Sequence, residues 1–228
     1  MIQKPPILIT GIPRSGTSAI AAMINLCGAF GGNMSKRGRF SNDTIQKIMV
    51  EPYLMRMGGD KKGQYPLPKI ILPDITWRSA IDGIMINEGY KGGIWMYKDS
   101  RLGLMWPVWN DAYKNARWVI VRRRTGDILN SCIKTNYMSG FGVENQKAVG
   151  ASDEREGWLW MIHQYELRFV EMIQKGLNCK VIWPERMKQG NFQQMYELCD
   201  WLNLPWKEEA LCFIDPLLWG NKRKERKK

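Results

Sequence analysis

Ile7-Leu8-Ile9-Thr10-Gly11-Ile12-Pro13-Arg14-Ser15-Gly16-Thr17-Ser18 begins with four residues of strand character and turns between two glycines. It then runs at once into the apolar stretch Ala19 to Cys27. Strand, glycine turn, helix is the layout that aims backbone N–H groups and a helix N-terminus at a bound phosphate. The spacing Gly-x4-Gly-x-[Ser/Thr] is that of a P-loop, with one position changed. Where the nucleoside triphosphatase motif carries Lys this chain carries Thr17, and the cation stands inside the loop at Arg14. Such a loop suits a phosphate that stays in place better than a terminal phosphoryl group to be activated.

Three further apolar runs read as strands: Gly93 to Lys98, Arg117 to Arg122 and Cys179 to Trp183, each followed by polar residues and a helical segment. Strands alternating with helices predict a parallel sheet. The expectation is one three-layer α/β domain, residues 1–220, with a central parallel sheet flanked by helices and a P-loop-like turn after the first strand. Ligands of such sheets lie beyond the carboxyl ends of the strands. Attention therefore falls on Gly11 to Ser18, Lys98 to Arg101, Arg122 to Ser131, and Glu185 with Arg186.

Between the strands, a helix is expected over Thr17 to Leu26, ended by Gly28. Asn42 or Asp43 should cap a helix through Met57, bent or divided near Pro52. Gly58 to Lys69 reads as an exposed loop, and Asp74 as the cap of a helix reaching about Gly89. Ser139 to Ser152 is a glycine-bearing loop, a lid or a long connection, before the longest helix at Asp153 to Lys175. Asn191 to Leu202 is a last helix, and Trp206 to Trp219 should pack back on the body.

The chain has 228 residues and a formal charge of +12. Part of that charge is local: Lys222 to Lys228 holds six cations and one Glu, and residues 221–228 read as a solvated, disordered tail. The remaining basic excess fits an anionic ligand. No zinc spacing or basic-aromatic repeat points to specific nucleic-acid binding. Five scattered Cys without a CxxC pair argue for a reducing compartment over a disulfide framework. With neither a membrane-length apolar run nor a signal-peptide pattern, a soluble cytoplasmic protein is expected. Oligomeric state is not legible.

A second cluster follows the strand at Arg117: Arg122-Arg123-Arg124-Thr125-Gly126-Asp127-Ile128-Leu129-Asn130-Ser131. Three Arg at a strand's end make a positive field where a ligand would lie. Thr125 or Asp127 can cap the next helix, and Ser131 falls in its first turns, facing back toward the loop. An Arg and a Ser eight residues apart can grip a second anionic group.

The segment Gly-x-Pro-Arg-Ser-Gly-Thr-Ser resembles the 5′-phosphosulfate loop of sulfotransferases that use 3′-phosphoadenosine 5′-phosphosulfate (PAPS). Arg123, Asp127 and Ser131 match that family's second motif residue by residue, and Trp95 to Arg101 is similar to its Lys-containing segment. The resemblance implies that Arg14, Ser15, Gly16, Thr17 and Ser18 hold the 5′-phosphate and that Arg123 and Ser131 hold the 3′-phosphate. Aromatic side chains would hold the adenine. It further implies in-line transfer to an acceptor hydroxyl or amine on a small molecule or glycan, with 3′,5′-bisphosphoadenosine (PAP) as product and no metal. Arg14, in place of the family's loop Lys, and Lys98 would offset charge growing on the transferred group.

One departure concerns the base. The family's His after the Lys is replaced by Asp99, which becomes the leading candidate, with Glu51 second. The alternative role for Asp99 is to pair with Arg101 and shape the loop. His163, the single His, sits in the longest helix among Leu159, Ile162 and Tyr165 and reads as structural. Two other readings stand beside the sulfotransferase: a P-loop kinase of a nucleotide or small metabolite, and a basic anion-binding module without catalysis.

Overall fold

The strands form where the apolar runs are most continuous. In the computed structural model, which describes residues 1–35, 39–64 and 76–214, β1 (Ile7–Gly11), β2 (Met96–Lys98), β3 (Arg117–Val121) and β4 (Cys179–Ile182) build one sheet in the order β2-β1-β3-β4. Every pairing is parallel. β1 is buried along its whole length, as expected of a central strand covered on both faces.

Alternation along the strands assigns the two outer layers. Leu8, Trp118 and Ile120 face one core, and Ile7, Ile9, Val119 and Val121 face the other. Helix α1 (Thr17–Leu26) covers the second face. It ends before Gly28, which takes a left-handed φ of 114°.

Asn42, not Asp43, caps the next helix: its side chain accepts from the Ile45 amide at 2.9 Å. That helix is divided as Pro52 predicts, but through an extra residue. α2 (Asp43–Ile45) passes into a π-helical stretch, Gln46–Val50, before α3 (Glu51–Arg56). The Glu51 amide reaches back five residues to the Gln46 carbonyl. Proline lacks the N–H of a regular ladder, and local widening is one way to absorb that loss.

α4 (Thr76–Asn87) follows; the expected cap at Asp74 lies outside the described residues, as do Lys36, residues 65–69 of the Gly58 loop, residues 215–219 and the basic tail. α5 (Trp106–Ala112) follows β2, and α6 (Thr125–Lys134) follows β3. Neither Thr125 nor Asp127 supplies a side-chain cap to α6, which starts from Arg124 with none. The stretch expected as a loop from Ser139 to Ser152 contains a short helix, α7 (Val143–Val149), none of whose residues is buried. α8 (Glu154–Gln174) is capped by Asp153, and α9 (Gln193–Leu202) follows β4. Trp206 and Phe213 do pack on the second core. Trp95, Trp109, Trp118 and Trp158 are fully buried packing residues. No helix among the described residues is long and apolar enough to cross a membrane.

Candidate active site at the carboxyl edge of the sheet

The glycine-bounded loop, Gly11 to Ser18, leaves β1 beside the end of β3, where Gly11 is paired with Val121. A Cβ on Gly11 would run into the Val121 carbonyl and lie 2.8 Å from both the Ser15 hydroxyl and the Thr17 methyl. Only glycine passes there. The Ser15 amide closes the turn on the Ile12 carbonyl at 3.0 Å, and Arg14 and Gly16 take left-handed φ values of 73° and 102°. α1 then starts at Gly16 with no side-chain cap and no acidic residue in its first turn. Its first amides are thus left without a built-in anion. Ser15 is fully buried, and its hydroxyl has no hydrogen-bond partner. A buried hydroxyl without a partner costs about 1–3 kcal/mol, and a phosphate oxygen in the loop would satisfy it. These features fit an anion.

Lys98 ends β2 one strand away. Its Nζ donates to the Ser18 hydroxyl at 3.3 Å, and Ser18 in turn donates to the Arg39 carbonyl at 3.1 Å. Burial lowers the Lys98 pKa to about 8, against the attraction of Asp99 and with help from Arg39 and Arg101. The ammonium is thus a desolvated charge beside the start of α1.

Asp99 is engaged elsewhere. Its carboxylate accepts from the Arg101 amide and Nε at 2.9 Å each, from Arg101 Nη2 at 2.6 Å, and from the Tyr97 hydroxyl at 3.2 Å. Burial pushes its pKa up, but the charge and hydrogen bonds of Arg101, with Lys98 adding, outweigh burial and hold it below the ordinary value. Of the two roles open to Asp99, pairing with Arg101 is the one the contacts fit. Arg101 also reaches the Lys61 carbonyl and, at 3.5 Å, Glu51. Glu51 is half-buried, its side chain 30% exposed against 7% for Asp99, and it accepts from Gln46 at 3.2 Å.

The strand-end cluster meets the loop through Arg14. Arg14 Nε donates to the Ser131 hydroxyl at 3.0 Å, and Arg123 Nη1 donates to the Arg14 carbonyl at 3.2 Å. Arg123 also lies 3.7 Å from Glu185 and 4.0 Å from Asp127. Tyr137, which no sequence pattern marks, presents its ring 5.5 Å below the Arg14 guanidinium carbon.

His163 is not a buried structural histidine. It is exposed on α8 and lines an open cavity of about 550 Å³ with Arg122, Arg124, Leu167 and Trp183. Arg122 in that cavity is paired with Glu166 and stacked 5.1 Å over Trp183. Among the described residues no cluster of His, Cys, Asp or Glu is placed to hold a metal ion.

The expected donor residues thus assemble at one edge, with Arg14 as the joint. Comparison with known proteins agrees on the fold. No protein-family model and no curated protein matches the sequence. Among solved structures, the sulfotransferase domain of the olefin synthase from Synechococcus PCC 7002 superposes with a TM-score of 0.57 at 12% identity, covering 97% of this chain and 84% of that one. A sulfotransferase from Alicyclobacillus acidocaldarius gives 0.56 at 14% identity, covering 90% and 83%. Sulfotransferase STF9 from Mycobacterium avium gives 0.52 at 11% identity, covering 92% and 67%. The chain has a sulfotransferase fold.

Proposed function

We propose that the protein transfers a sulfuryl group from PAPS to a hydroxyl or amine of a small-molecule acceptor. The observation that carries this reading is the direct joining, by Arg14, of the glycine loop and the strand-end cluster, which we read as two anion half-sites. Its side chain touches Ser131, and its carbonyl is held by Arg123, at 3.0 and 3.2 Å. A donor with phosphates at both the 5′ and 3′ positions needs two such half-sites side by side. A loop for one nucleoside phosphate chain does not.

In this reading Ser15, Gly16, Thr17 and Ser18 surround the 5′-phosphate, and Arg123 with Ser131 takes the 3′-phosphate. Lys98 and Arg14 offset charge on the departing bridging oxygen and on the sulfuryl oxygens. The acceptor oxygen or nitrogen bonds to sulfur as the sulfur–oxygen bond to the 5′-phosphate breaks. PAP leaves with the electron pair, and the acceptor's proton passes to a carboxylate. Glu51 replaces Asp99 as our choice for that base. Asp99 accepts four hydrogen bonds and has a lowered pKa, whereas Glu51 is more exposed and meets Arg101 only at 3.5 Å. A general base must reach the proton it removes and be basic enough to take it.

The test is thermal stabilisation by PAP against ADP, ATP and AMP, in wild type and Arg123→Ala. PAP should stabilise most, and the substitution should weaken PAP by at least about tenfold while leaving AMP nearly unchanged, as loss of a charge-assisted contact implies. Equal losses for both nucleotides would remove the 3′-phosphate role. Stabilisation by ATP with Mg²⁺ but not by PAP would favour a kinase.

A further inference from the structure

The turn after α6 is the most strained described segment of the chain. Asn136, Met138 and Ser139 take φ values of 44°, 54° and 67°, and Gly140 follows at 78°. Left-handed backbone crowds the Cβ against the following carbonyl, and of these residues only Gly and Asn adopt it readily. The conformation is imposed from both sides. Lys62 Nζ donates to the Met138 carbonyl at 2.7 Å, and Gln64 Nε2 donates to the Gly140 carbonyl at 3.0 Å. Behind the turn, Tyr137 packs 6.2 Å from the ring of fully buried Trp158. Trp158 Nε1 and the Phe141 amide both donate to Glu154, at 3.0 and 3.2 Å.

What this arrangement presents is the face of one ring. The Tyr137 centroid lies 5.5 Å from the guanidinium carbon of Arg14, the single cation of the phosphate loop. Arg14 is exposed and itself left-handed, so its own backbone packing does not fix its side chain. Its Nε donates to Ser131, and the N–H groups of its two terminal nitrogens make no hydrogen bond among the described residues. Strained backbone persists where the surroundings over-determine it, and it concentrates at ligand clamps. Here the restraints converge on a ring that holds a cation between two anion half-sites.

We propose that Tyr137 is a positioning residue for the sulfuryl donor: its ring face holds the Arg14 guanidinium between the two anion half-sites, with the terminal nitrogens left for the ligand. This rests on the donor reading above. The ring acts by attraction between its electron-rich face and the guanidinium, so the phenol hydroxyl is dispensable and the flat ring is not.

The experiment is a double-substitution cycle read by calorimetric titration of PAP and, separately, of inorganic pyrophosphate, with melting temperature as a control. Tyr137→Leu should weaken PAP binding about three- to tenfold, the range of a partly exposed cation–π contact, and Tyr137→Phe should recover most of the loss. In an Arg14→Ala background, Tyr137→Leu should cost less than about twofold more, because the group it positions is gone. Equal loss in both backgrounds, or equal loss from Phe and Leu, overturns the assignment. If Tyr137→Leu fails to fold, Tyr137→Met enters the same cycle. A wild type that binds pyrophosphate but not PAP defeats the donor reading, and the cycle on pyrophosphate then decides the role of Tyr137 by itself. A wild type that binds neither overturns both.

Discussion

Replacing Lys98 by Met should make the protein more stable and worse at binding its donor. Lys98 is 7% exposed, and burial lowers its pKa from 10.5 to about 8. One pKa unit corresponds to about 1.4 kcal/mol, so keeping the ammonium charged in the folded state at pH 7 costs about 3 kcal/mol. That balance already includes the attraction to Asp99. The sign follows from proton counting: between about pH 8 and 10.5 the unfolded chain binds more protons at this site, so wild-type stability rises with pH across that window. Below pH 8 both states are charged and the cost is constant. Lys98→Met removes the cost and the slope together. At pH 7 it should raise the melting temperature by roughly 6–12 °C, at the few degrees per kcal/mol typical of a domain this size, while weakening PAP binding tenfold or more. The assay is denaturant unfolding of both proteins at pH 7, 8, 9 and 10, read as the difference between them. The advantage of the variant should shrink as pH climbs past 8. A variant less stable than wild type at pH 7, or a difference independent of pH, would refute the reasoning.

Two other expectations concern the loop and the base. Ser15→Ala removes a buried hydroxyl that has no partner, so the free protein should lose no stability and can gain about 1 kcal/mol. PAP affinity should fall about tenfold, and unchanged affinity would take Ser15 out of the phosphate site. Glu51→Gln should cut turnover by about a hundredfold or more, the range for a general base, with little change in melting temperature. Asp99→Asn should instead destabilise by about 3 kcal/mol, because it takes the nearest counter-charge from buried Arg101 and leaves it Glu51 at 3.5 Å. A folded Asp99→Asn protein that is inactive beside a fully active Glu51→Gln would restore Asp99 as the base.

The sheet, its parallel sense and the placing of the glycine loop and the arginine cluster at its carboxyl edge could be read from the chain because each is a local pattern. Apolar runs mark the strands, and a glycine pair marks the turn between β1 and α1. Contacts set by the tertiary fold could not be read so directly. Asp99 looked available because nothing in Lys98-Asp99-Ser100-Arg101 says that Arg101 folds back onto it, although pairing at that spacing was one of its two possible roles. His163 reads as structural because its neighbours are apolar, yet it is exposed on α8, as are Leu159, Leu167 and Val170. α7 escaped notice because Val143 to Val149 buries no residue and so shows no helical stripe. Tyr137 carries no signal, since its role depends on a backbone conformation imposed by Lys62 and Gln64 from a segment far away in sequence.

The π-helical stretch before Glu51 also has a meaning for how this site varies by insertion and deletion. A π turn holds one residue more than an α turn, so the helix beyond Gln46–Val50 is rotated by about 100° relative to an uninterrupted α-helix. Deleting one residue there would rephase the two halves of the helix. α3 would then turn as a unit, taking Tyr53 and Leu54 out of the core and Glu51 away from Arg101, or α2 would turn instead and carry Ile45 out of the core. A single codon thus decides whether this carboxylate reaches Arg101, with every residue at the sheet edge left unchanged.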